Sequence, residues 1–204
     1  MSSVHDLKAR FQALLRPVMH ALARAGVTPN AITTAALLGS VALGGALAAS
    51  EARWILAALP AWLLVRMALN ALDGMMAREL GQASQLGAVL NEVGDVVSDL
   101  ALYLPFALRA PEAALPVFLF AAAAVLTEFC GVLGQALGGT RRYDGPMGKS
   151  DRALVVGAFA LVLALHAPAA AAADWFFDAL TALALVTCWN RLSRTLTELR
   201  EEAA

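Results

Sequence analysis

Residues 70–99 read NALDGMMARELGQASQLGAVLNEVGDVVSD and set polar groups into two otherwise apolar segments. A helix advances about 100° per residue, so side chains three, four and seven apart share a face. That spacing puts Arg66, Asn70, Asp73 and Ala77 on one stripe of the segment over 54–78. It puts Asn91, Glu92, Asp95 and Asp99 on one stripe of the next. The polar, glycine-containing stretch 81–85 reads as a short turn, which predicts antiparallel neighbours whose polar stripes meet. Counting inward from Arg78 and Gly87 at about 1.5 Å per residue sets Asp73 level with Asn91, Asn70 with Asp95, and Arg66 with Asp99.

The chain has 204 residues, 60% of them hydrophobic, and a mean hydropathy of +0.67. Such a composition excludes an ordinary soluble domain and predicts one membrane domain. In that setting a single acidic residue can be half of a structural pair, but several on facing stripes mark an ion, proton or substrate site. Arg66, at the depth of Asp99, would be costly alone, so the two are expected to pair below that site. The net charge of −1 gives no reason to expect a nucleic-acid partner. Cys130 and Cys188 lie in apolar runs without metal-ligand spacing and read as packing residues. His5, His20 and His166 are dispersed and receive no role.

Taken in order, residues 1–27 form an amphipathic unit, with Leu7, Phe11, Leu14, Leu15, Val18 and Leu22 on one side among Lys8, Arg10, Arg16 and Arg24. This pattern suits a helix lying along a membrane surface, with a soluble partner-binding helix as the alternative. It lacks the uninterrupted apolar core of a signal peptide. Residues 26–30 break the helix, and Asn30 or a nearby Thr caps the next. Within 28–204 the apolar runs predict six spans, at 31–49, 54–76, 86–108, 114–137, 153–166 and 175–189. Pro105 is read as tolerated inside the third. Gly131, Gly134 and Gly138 permit close helix contact, in a homodimer or within the chain. The expected fold class is an all-α membrane protein of six transmembrane helices behind an N-terminal interfacial helix.

Six spans put both termini on one side, together with Lys8, Arg10, Arg16, Arg24, Arg78, Arg141, Arg142, Lys149, Arg152, Arg191, Arg194 and Arg200. Only Arg53 and Arg109 fall opposite, which predicts cytoplasmic termini and a cytoplasmic opening of the polar cluster. The loop over 140–152, TRRYDGPMGKSDR, is basic and glycine-rich. Its cations obey the positive-inside rule in any case; the functional reading is that Lys149 and Arg152, opening the fifth span, meet a phosphate at a helix N-terminus.

The spacing Asn70, Asp73, Gly74, Ala77, Arg78, eight residues, Gly87, Asn91, Asp95 resembles the DxxDGxxARx8GxxxDxxxD motif of the CDP-alcohol phosphotransferase family of membrane enzymes that make phospholipids. Thr28, Pro29, Asn30 and Thr33 are similar to the sequence preceding the first span in many members. The resemblance implies a six-helix domain with a cytoplasmic active site in the cell's inner membrane. It implies a CDP-diacylglycerol-like donor, an alcohol acceptor and release of CMP. It further implies one or two divalent ions, Mg or Mn, on the aspartate positions. Asp95 is then the general base, while Asp73, Gly74, Ala77 and Arg78 seat the CDP moiety. Basic residues in the loop face the active site in members that use a phosphorylated acceptor, which makes Arg141, Arg142, Lys149 and Arg152 candidates for acceptor phosphate.

Asn70 and Asn91 depart from the motif, standing where it has its first and third aspartates. An amide oxygen ligates a hard cation but brings no charge. Glu92 and Asp99, on the stripe of Asp95, are candidates to restore it, so the metal set reads Asn70, Asp73, Asn91, Glu92, Asp95 and Asp99. Two other readings stay open: an inactive relative that binds nucleotide or metal as a scaffold, and an ion- or proton-coupled transporter using Arg66 and Asp99.

Overall fold

The computed structural model describes backbone from residue 4 to 202 and side chains from 10 to 201. Residues 1–3 and 203–204, at the outer ends of the two expected units, lie outside the described residues, as do the side chains of Leu7 and Lys8. The described residues form eight α-helices: α1 (Val4–Arg24), α2 (Pro29–Ala49), α3 (Arg53–Glu79), α4 (Gln85–Tyr103), α5 (Phe106–Arg109), α6 (Ala114–Ala136), α7 (Lys149–Leu165) and α8 (Ala173–Glu202). Short 3-10 turns at Pro111–Ala113 and Ala167–Ala172 complete the chain, and no strand occurs among the described residues.

Local chemistry sets several of the boundaries. Thr28 caps α2 by accepting from Ala31 N–H at 3.2 Å, and Pro29 takes the first helical position, where no N–H is needed. Ser84 caps α4 by accepting from Gly87 N–H at 3.0 Å. Pro105 is not absorbed into a continuous helix as the sequence reading expected. Lacking an N–H and clashing with the preceding turn, it follows the end of α4 at Tyr103, and the chain restarts as the single turn of α5.

α2 packs against both α3 and α4, α3 against α7, and α6 against α8 and α4. The polar segments α3 and α4 are therefore not backbone-to-backbone neighbours. They face each other across a gap filled by their own polar side chains, and α2 braces both. Small residues make the close crossings. A side chain at Gly44 would put its Cβ 2.1 Å from the Ala101 carbonyl oxygen on α4, and the Trp62 ring of α3 lies over Gly39. Gly131 and Gly134 serve inside the chain: their added Cβ atoms would meet the carbonyl oxygens of Arg142 and Thr140 at 2.9 and 2.7 Å.

Burial is inverted relative to a soluble protein. Arg66, Asp73, Asp95, Asp99, Glu128, Arg152 and Arg191 are buried, while Trp54, Leu64, Phe118, Phe129, Leu154, Trp175 and Trp189 are exposed. Tyr103, Phe106, Phe120 and Phe177 form a continuous aromatic core. Four helical stretches, Pro29–Ala49, Arg53–Glu79, Pro111–Ala136 and Ala167–Glu201, are long and apolar enough to cross a membrane. The other two expected spans fall short for visible reasons: α4 carries Glu92, Asp95 and Asp99, and α7 has only 17 residues. α1 rests on α3, with Met19 buried beside Leu72, Met75 and Met76, and Arg16 3.3 Å from Glu79.

The Gly44 crossing yields a direct check. Gly44→Leu drives a side chain into a backbone carbonyl that cannot rotate away, and should destabilise the bundle by about 1–3 kcal/mol. Thermal unfolding in detergent would show it; a variant melting with the parent would show that α2 and α4 do not cross at this distance.

Candidate functional site

One end of the bundle contains a cavity of about 580 Å³, within the range of roughly 300–1,000 Å³ usual for small-ligand sites. Its wall is built from the start of α2, the end of α3, the start of α4, the loop before α7 and the start of α7, with Glu128 of α6 and Arg191 of α8 behind. The expected residues Asn70, Asp73, Gly74, Ala77, Arg78, Asn91, Glu92, Asp95, Arg141 and Lys149 all line it. Arg66, Asp99, Arg142 and Arg152 do not.

Asp73 is 6% exposed. It accepts from Thr33 Oγ1 at 2.7 Å, so α2 fixes it by a neutral hydroxyl. Asp95, equally buried, is held from three directions. Its Oδ1 accepts from Asn70 Nδ2 at 3.0 Å and Arg66 Nη2 at 3.2 Å, and its Oδ2 from Lys149 Nζ at 2.5 Å. The Asn70 amide thus spends its N–H on Asp95, which leaves its carbonyl oxygen free. The glycines serve close approach. The Arg78 guanidinium lies over Gly74, where an added Cβ would come within 3.1 Å, and Gly87 leaves room for the Asn30 side chain, 2.7 Å from where its Cβ would stand.

Beneath the cavity runs a chain of ion pairs. Arg66 Nη1 is 2.5 Å from Asp99, which also accepts from Arg152 Nη2 at 2.9 Å; the same nitrogen lies 2.7 Å from Glu128. Arg152 is fully buried and gives its remaining donors to Thr127 and the Met147 carbonyl. Its guanidinium therefore supports the floor of the site and has no face on the cavity. Arg142 turns away too, toward Asp144, Thr140 and Glu198. Arg141 reaches Glu92 at 2.7 Å and Glu128 at 3.3 Å, with its guanidinium 4.6 Å above the Tyr143 ring. Burial disfavours the charge of Arg141, yet Tyr143 and Glu92 outweigh it and raise its pKa above the ordinary value.

Glu128, Arg191 and Thr33 escaped the sequence reading. Glu128 carried a usable signal, a carboxylate in mid-span. Arg191 read only as a flanking cation, and Thr33 as part of a helix start.

Hard oxygen donors at the mouth, Asp73 and Asp95 with the amides of Asn70 and Asn91, suit Mg or Mn in kind. Among the described residues no group of three acidic, His or Cys side chains forms a preassembled metal cage. The fit rests instead on Asp73, a buried carboxylate whose partner carries no charge.

The model of the CDP-alcohol phosphatidyltransferase family matches residues 26–190, and the chain belongs to that family. It is similar to Inner membrane protein YnbA of Escherichia coli, with 49% identity over 164 residues that cover 80% of this chain and 82% of that one. A partial match, 34% over 96 residues, covers 47% of this chain and 40% of the phosphatidylinositol phosphate synthase of Mycobacterium marinum. The fold is that of the Mycobacterium tuberculosis phosphatidylinositol phosphate synthase crystallised with CDP-DAG bound: TM-score 0.73, 24% identity, 89% of this chain and 92% of that one. The same enzyme in complex with manganese and citrate superposes with the same TM-score of 0.73 and 24% identity, covering 89% and 88% of the two chains.

The buried pair can be weighed directly. Arg66→Ala leaves Asp99 and Asp95 short of a partner and should cost about 3–5 kcal/mol of stability. A double-mutant cycle with Asp99→Ala should return a coupling on the order of 2 kcal/mol. Unfolding in mixed micelles measures both, and additive single effects would remove the pair from the account.

Proposed function

We propose that this protein transfers a phosphatidyl group, or a related phosphoalcohol, from a CDP-linked donor such as CDP-diacylglycerol to an alcohol, releasing CMP. One observation carries the reading: the DGxxAR segment lines the same cavity as Asp95 and Lys149. Family membership supports the reaction class, and the relative crystallised with CDP-DAG supports the donor.

In this reading Gly74 and Ala77 keep the α3 face low enough for the diphosphate to approach, and the Arg78 guanidinium pairs with it. Asp73, with the oxygens of Asn70 and Asn91, would hold a divalent cation beside Asp95. When bound, such a cation neutralises the diphosphate and stabilises the departing CMP. The acceptor hydroxyl oxygen attacks the phosphorus bonded to the lipid, the bond from that phosphorus to the CMP oxygen breaks, and the hydroxyl proton passes to Asp95. Asp95 can accept it only at an oxygen free of cations. Lys149, on the first residue of α7 and partly exposed, supplies the release: an anionic group entering beside it draws the ammonium off Oδ2. Lys149 and Arg141 are the cavity cations suited to a phosphorylated acceptor. Glu92 is bound to Arg141 and serves the site through it, while Asp99 is taken up by Arg66 and Arg152 and gives no ligand.

The proposed setting is the inner membrane, supported by the relative named an inner membrane protein. Six spans, α2, α3, α4, α6, α7 and α8, cross it within the 28–204 unit. α1 lies on the cytoplasmic surface, which its exposed Phe11, Leu14 and Val18 suit. The cavity opens to the cytoplasm.

Two measurements test this. Asp73→Ala should abolish CMP formation from CDP-diacylglycerol, Mg²⁺ or Mn²⁺ and a panel of free and phosphorylated alcohols, with the protein still inserted and folded; undiminished turnover defeats the assignment. In intact cells of a bacterial host, an impermeant maleimide should label a cysteine placed at Glu112 and spare one placed at Ser84. The opposite pattern inverts the orientation.

A further inference from the structure

The charges of the cavity and its floor can be matched one against another. Asp95 has Arg66 and Lys149, Glu92 has Arg141, Asp99 has Arg66 and Arg152, and Glu128 has Arg141, Arg152 and, at 4.0 Å, Arg191. Glu92, Asp95, Asp99 and Glu128 thus each have at least one cationic partner, whereas Asp73 is held only by the neutral Thr33 hydroxyl. Of the two further charged residues on the wall, Arg78 folds over Gly74, and Asp151 accepts from Gly148 N–H at 2.9 Å. Asp151 also lacks an ion pair but is exposed, whereas Asp73 is buried. Among the described buried carboxylates Asp73 is therefore the one without a cationic partner, and Asn70 and Asn91, amides that offer oxygen without charge, line the same cavity.

We propose that the protein itself holds a single divalent cation, on Asp73 with the amide oxygens of Asn70 and Asn91. The Lys149 ammonium gives Asp95 the positive charge that a second cation would otherwise bring. This rests on the phosphotransferase reading and narrows it. A second divalent ion would enter a wall whose other buried carboxylates, Asp95 and Glu128, already have cations, and its dehydration would go uncompensated. Asn in place of Asp at positions 70 and 91 and a lysine on Asp95 are then one adjustment. Each lowers the charge the site can accept by one.

The test is Mn²⁺ titration of the purified protein in lipid nanodiscs without nucleotide, read by electron paramagnetic resonance and by metal analysis. Wild type should take up one Mn²⁺ per chain, with no Mn–Mn spin coupling. Asp73→Asn, which keeps the side chain's shape and its Thr33 contact, should lose it. Lys149→Met removes a cation from the neighbourhood and should tighten Mn²⁺ binding by about tenfold or more. Two coupled ions in wild type, none at all, undiminished binding in Asp73→Asn, or unchanged affinity in Lys149→Met would each overturn the proposal. The two readings fail separately. Two ions together with CMP release refute the single-ion proposal and leave the phosphotransferase standing, whereas one ion without CMP release from any alcohol does the reverse.

Discussion

A charge within an apolar bundle is tolerable only beside its opposite, and that constraint organises this molecule. Arg66 of α3, Asp99 of α4, Arg152 of α7 and Glu128 of α6 form a continuous line of contacts at 2.5, 2.9 and 2.7 Å. Arg191 extends it to α8 through the Thr127 carbonyl. Apolar packing alone would let these helices slide or rotate against one another at little cost, since lipid is as good a partner for leucine as another helix is. The ion pairs remove that freedom: turning any one helix would strand a charge.

The same line explains why the catalytic candidates above it can be so sparsely held. Asp95 needs no dedicated scaffold, because Arg66 grips both its side chain and its backbone carbonyl, the latter at 3.1 Å. Asp73 relies on a single hydroxyl from α2, which is braced against α3 and α4 by glycine crossings. Floor, brace and wall thus divide the task. Ion pairs set the level of each helix, small residues set the spacing, and the polar stripes are left facing a common space.

Much of this was legible in the chain. Helical periodicity grouped the stripe residues, and counting from the turn put Arg66 level with Asp99 and Asn70 level with Asp95, the pairs that are in contact. What could not be read is whatever depends on a third partner. Periodicity within α3 and α4 says nothing about α2 packing against both of them, or about Arg152 arriving from α7 to share Asp99. Arg152, opening a helix, read as a cation for an incoming phosphate, but Asp99 of α4 and Glu128 of α6 take up its guanidinium instead. Pro105 shows the same limit: whether a proline is absorbed or ends a helix depends on what its neighbours offer the freed carbonyl.

The loop before α7 is fastened to the last helix. Met147 N–H donates to Thr187 at 2.9 Å, Gly145 adopts φ 117° against Thr187, and Glu198 holds Thr140. On the proposed reading the two substrates are then served by separate halves of the polypeptide, with the nucleotide side drawn from α2 to α4 and the acceptor side carried by a loop moored to α8. Selection acting on the C-terminal helix could retune the choice of alcohol while the donor motif stays untouched.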